Sequence, residues 1–141
     1  MIPTRKVVTT FILSAGVALV ATTALARQAD QTASQFYMAY RAAFQKATKI
    51  EDVLPYMSKA MRSQVDQTPA AERPMMFGVM KKMDTYTQVK VVKETKTADG
   101  VTLLVEGSDS GKKSTATVDI VRENGAWKLG KERWSSSSRG Q

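Results

Sequence analysis

In a chain of 141 residues with no Cys and no His, most of the usual equipment for covalent or metal chemistry is missing. Without Cys there is no disulfide, no thiolate nucleophile and no Cys-based zinc or iron–sulfur site. Without His, the commonest general base near neutral pH and the commonest metal ligand are gone. Asp, Glu, Lys, Tyr and Ser remain. The candidate acids Glu51, Asp52, Asp66, Glu72 and Asp84 all fall near expected helix ends, where capping and solvation account for them. Ser58 and Ser63 have only Lys59 beside them as a base, and a Ser–Lys pair requires a buried lysine. No catalytic residue is assigned from these groups, and a small enzyme of isomerase or hydrolase type stands as an alternative reading only.

Methionine is the one clustered chemistry. Met57, Met61, Met75, Met76, Met80 and Met83 place six thioethers within 27 residues, and Met76, Met80 and Met83 fall on one helical face. Soft sulfur suits Cu(I), so copper handling is a second alternative, with those three as ligands. The same stripe is what an ordinary packed helix needs, because Met is an adaptable core filler.

The elements that must position any site begin after an export signal. Arg5 and Lys6 precede an uncharged stretch from Val7 to Ala26, and Ala24-Leu25-Ala26 supplies small residues at a peptidase site, so cleavage is expected between Ala26 and Arg27. The expected product is periplasmic or secreted, with no stable membrane span after cleavage. Residues 27–134 then form a single domain, and 135–141 a disordered polar tail. Losing Arg5 and Lys6 from 21 basic against 13 acidic residues still leaves a net charge of +6. The cations are scattered and no nucleic-acid-binding signature accompanies them, so nucleic acid is not an expected partner.

Thr32 and Gln35 have capping-box spacing, and Ala33, Phe36, Tyr37, Tyr40, Ala43, Phe44 and Ala47 recur at helical intervals, which predicts a helix over 33–48. Residues 50–67 read as a short turn of helix broken at Pro55 and a second piece begun by Ser58. Thr68-Pro69 reads as the start of a further helix, with Pro74 a break or restart. From Thr85 the period becomes alternating. Strands are expected over 85–94, 101–106, 115–121 and 126–134, with turns at Asp99-Gly100, 107–111 and Asn124-Gly125. Val89, Val91, Leu103, Val105, Val118, Ile120, Trp127 and Leu129 should share the buried face, and Lys90, Thr102, Glu106, Thr117, Asp119 and Lys128 the other. Val92, Leu104, Val121 and Trp134 break that polar face, and a homodimer through it would cover them.

Helices followed by a meander imply an α+β layer. The run from Val89 to Glu94, a hairpin, and then Thr117-Val118-Asp119-Ile120-Val121-Arg122-Glu123-Asn124-Gly125-Ala126-Trp127-Lys128-Leu129 resembles the last strands of small exported domains of the nuclear-transport-factor-2-like superfamily, which have the cystatin-like fold. The likeness is to its branches of unassigned function. It implies a cone, in which N-terminal helices pack on a curved four-stranded antiparallel meander with a pocket at the open end. The superfamily holds enzymes, ligand binders and accessory domains, so the fold does not give function. Its ketosteroid-isomerase-like enzymes use a pocket Tyr with acids. Tyr37 or Tyr40 could stand in for the Tyr, but no motif fixes the acids.

The reading that follows is an exported, non-enzymatic binding or accessory domain of the cell envelope with an apolar pocket, whose partner is a small apolar ligand or an envelope protein. Tyr40, Phe44, Tyr56, Met57, Met80, Trp127 and Trp134 are the expected pocket lining.

Overall fold

The computed structural model describes residues 30–136, so the expected signal segment and its Ala26–Arg27 cleavage site lie outside the described residues. Three helices precede a four-stranded antiparallel sheet, giving an α+β fold. Helix α1 (Ala33–Lys46) opens with the capping box expected for it: Thr32 Oγ1 accepts from Gln35 N–H, and Gln35 Oε1 accepts from Thr32 N–H. Two 3₁₀ turns, Ile50–Asp52 and Leu54–Tyr56, carry the chain past Pro55. Asp52 accepts hydrogen bonds from the Thr48 and Lys49 N–H groups, and these bonds hold its carboxyl below the usual range.

Helix α2 (Lys59–Asp66) starts at Ser58, whose Oγ accepts from Met61 N–H. Helix α3 (Arg73–Met83) departs from expectation, because it begins at Arg73 rather than after Thr68-Pro69. Pro74 lies in its first turn, where a missing N–H costs nothing, so of the two readings, break or restart, it is the restart.

Strands β1 (Gln88–Lys96), β2 (Gly100–Asp109), β3 (Lys112–Glu123) and β4 (Ala126–Ser136) pair in chain order. Ser110 and Gly111, and again Asn124 and Gly125, have positive φ in tight two-residue turns. The strands run longer than the sequence suggests. Residues 107–109 belong to β2, and Ser135 and Ser136 pair with Thr115 and Ser114 instead of opening a tail.

Two irregularities decide which side chains face the helices. Between Val91 and Lys93 the register with β2 slips, leaving Val92 as an extra residue. Opposite Asp119 and Ile120 the register of β4 slips likewise, leaving Gly130 as the extra residue between Leu129 and Lys131. Each bulge reverses the alternation beyond it. Trp127 and Leu129 therefore point inward, and so do Glu132 and Trp134 after the bulge, paired with Val118 and Ala116. Alternation without a bulge assigns Trp134 to the outer face. The structure puts it on the inner one, and of the outward apolar residues Leu104 and Val92 are exposed and Val121 half-buried.

One core joins both layers. Phe36, Tyr37, Tyr40 and Phe44 of α1 pack with Leu103, Val105, Val118, Ile120 and Leu129 of the sheet, all buried. Burial of each such side chain is worth about 1.5–3 kcal/mol. Segment 57–58 docks alongside β4, with Met57 bridged to Leu129 and Ser58 N–H donating to Leu129 O at 2.9 Å. Among the described residues no helix is long and apolar enough to cross a membrane.

Candidate functional site

A cavity of about 450 Å³ opens where α1, the ends of α2 and α3, and the far half of β4 meet. Helix α1 contributes Tyr40, Arg41 and Phe44, three positions of its inward stripe. Met61 comes from α2, Met80 and Met83 from α3, Asp84 and Tyr86 from the connection to β1, and Glu132 and Trp134 from β4 beyond its bulge.

The walls are apolar and aromatic. Tyr86 and Trp134 stack with centroids 4.0 Å apart and planes 19° from parallel. Gly107 lies under the pair, and a Cβ there would sit 2.7 Å from the Trp134 ring and 3.0 Å from Tyr86. Only a residue without a side chain lets both rings lie flat on β2. Tyr40 packs against Phe44 and Tyr56, each about 6 Å away between centroids.

The inner end is charged. Arg41 is buried, and its Nη2 donates to Asp84 Oδ1 at 2.7 Å, while Nη1 lies 4.0 Å from Glu132 Oε1. Glu132 Oε1 also accepts from the Tyr37 hydroxyl at 3.0 Å and from Trp134 Nε1 at 2.6 Å. Arg41 Nε is the one buried side-chain polar atom without a partner among the described residues.

Burial pushes the Glu132 carboxyl above the usual range, against the pull of the Trp134 and Tyr37 hydrogen bonds and of Arg41. Burial, with Glu132 nearby, raises both Tyr37 and Tyr40 well above an ordinary phenol. Desolvation works against the Arg41 cation, but Asp84 and the neighbouring Tyr37 and Glu132 outweigh it and the guanidinium stays charged.

Of the residues singled out from sequence, Tyr40, Phe44, Met80 and Trp134 line this cavity, and Tyr56, Met57 and Trp127 do not. Tyr56 is half-buried against Phe36 and Tyr40. Met57 is in the core. Trp127 sits on the near half of β4, where Nε1 donates to Gln31 O at 2.7 Å and the Arg122 guanidinium lies 3.9 Å from its ring. The methionine set divides: Met80 and Met83 face the cavity together with Met61, whereas Met76 is turned to Thr68, whose hydroxyl meets its sulfur at 3.5 Å.

Sequence reasoning missed Arg41, Tyr86 and Glu132, and it named Asp84 as a candidate acid but explained it as a helix end. Arg41 could have been found, since it lies four residues after Tyr37 and three before Phe44, inside the apolar stripe of α1. The chain matches no protein-family model, no curated protein and no solved structure.

Proposed function

We propose that the protein is an exported, non-enzymatic binding domain whose cavity holds a small amphipathic molecule. The observation that carries this reading is a 450 Å³ cavity with aromatic and methionine walls and a hydrogen-bonded charged cluster at one end. Small-molecule sites have this make-up, with a largely apolar enclosure and a few polar groups that fix orientation. Helices on one face of an antiparallel meander, with the cavity at one end of that layer, also support a nuclear-transport-factor-2-like cone.

Native mass spectrometry of the processed chain, purified gently from the cell that makes it, tests the proposal. A mass excess that leaves on collisional activation is the expected result. A bare polypeptide mass in every charge state contradicts it.

One observation favours a second reading, a small isomerase-like enzyme. Glu132, a carboxyl raised by burial, and Tyr40 line the same cavity, a carboxyl and a phenol of the kind that proton transfer at a carbon acid uses. Here Glu132 would move the proton and Tyr40 would face the substrate oxygen. Deuterium exchange of a cavity-sized ketone in heavy water, faster with the protein than with buffer and lost in Glu132→Gln, is its expected signature. Equal rates with and without protein would dismiss it.

A further inference from the structure

We infer that the cavity selects organic cations, an ammonium group carried on a hydrophobic body. This inference rests on the pocket reading above and names the ligand class it takes.

The first argument is a count of charge. Three charged side chains line the cavity, and two of them, Asp84 and Glu132, are acidic. The chain as a whole carries +8, so this is an acidic spot inside a basic protein. Arg41 is held by Asp84 and Glu132, with Nη2 on Asp84 Oδ1 and Nη1 4.0 Å from Glu132 Oε1, and its buried Nε is left without a partner. The hydrogen bonds that reach the two carboxylates fall on Oδ1 of Asp84 and Oε1 of Glu132. Their second oxygens take no part in these bonds and are left to accept from a ligand.

The second argument is independent of the acids. The stacked Tyr86–Trp134 pair and Tyr40 enclose the same space, and aromatic faces attract a desolvated cation, while Phe44 beside them already has Lys81 Nζ 5.2 Å from its centroid. The Arg41 guanidinium already lies 6.0 Å from the Trp134 centroid, a distance at which that attraction operates. A carboxylate ligand would confront two acids and would have to take Arg41 from Asp84. A neutral ligand would leave the surplus acid uncompensated.

The test is isothermal titration of the processed protein with three probes that share one body, 4-phenylbutylamine, 4-phenylbutanol and 4-phenylbutyrate, at neutral pH. The amine is expected to bind at least about tenfold more tightly than the alcohol, a difference of the size cation–aromatic and ion-pair contacts supply when desolvated. The acid should bind weakest. In Glu132→Gln and Asp84→Asn the ratio of amine to alcohol affinity should shrink. The wild-type comparison stands without either variant, so a variant that folds poorly leaves the inference testable. Equal binding of amine and alcohol, or tightest binding of the acid, overturns the cation selectivity and leaves the pocket reading intact. Failure of all three to bind removes the pocket reading as well.

Discussion

Glu132 is the residue on which the cavity's chemistry turns, and its ionisation leaves a signature in stability. Because burial raises its carboxyl, the folded protein binds a proton that the unfolded chain has already released over the interval between the ordinary glutamate value and the raised one. Stability from this group is therefore full below the ordinary value and is lost as pH rises through the raised one. Replacing Glu132 with Gln should flatten the pH dependence of chemical denaturation across that interval. An unchanged slope would mean that the carboxyl is not desolvated. Asp52 has the opposite sign, at lower pH, and cancels in the comparison. Arg41 makes a second prediction. Arg41→Met leaves Asp84 and Glu132 buried without their cation, and breaking such a pair costs about 3–5 kcal/mol. Adding Asp84→Asn should recover part of that loss, and a double-mutant cycle by urea denaturation that sums additively would contradict the coupling. Arg41 does not stand out in the sequence. Asp84 looked like a helix-end acid, which it also is, since it follows Met83 at the C-terminus of α3.

At the scale of elements, local chemistry was legible and register was not. Thr32, Gln35 and Ser58 announce two helix starts through side-chain oxygens that can reach backbone N–H groups, and both caps form. Ser58 is buried and also holds segment 57–58 to β4 through its backbone, and Glu123 accepts from Lys59 N–H at 2.8 Å. Ser58→Ala removes only the cap and should cost about 1 kcal/mol in thermal or urea denaturation. No measurable loss would mean that the Leu129 and Glu123 contacts alone hold α2 in place. The start of α3 was misread because the rule favouring proline in a first turn fits both Pro69 and Pro74, and the sequence does not choose between them. The facing of β4 was misread for a different reason. Alternation carries no mark of an inserted residue, so it puts Trp134 on the wrong side. Gly130 was the available signal, because a glycine inside a strand often marks a bulge. A Cβ there would lie 3.1 Å from Val121 and 3.2 Å from Asp119 O, so a larger residue would press on both.

For the molecule as a whole, the order of periodicities, helical and then alternating, was enough to give helices packed on an antiparallel sheet. The cavity needed more. It exists because a bulge in β4 returns an indole and a carboxyl to the inner face, where an arginine from the middle of α1 meets them. Arg41 lies 91 positions from Glu132 and 93 from Trp134 along the chain, and no local pattern relates it to them. The central claim is that this place, and not the rest of the core, receives a ligand. The chain has two tryptophans, which makes the test direct. Trp134 lines the cavity, and Trp127 lies on the near half of β4 bonded to Gln31. In a two-dimensional NMR titration with 4-phenylbutylamine, the Trp134 indole N–H and the methyl groups of Met61, Met80 and Met83 should shift together and saturably, while the Trp127 indole stays in place. Shifts centred on Trp127, or scattered evenly over both indoles, would contradict the account.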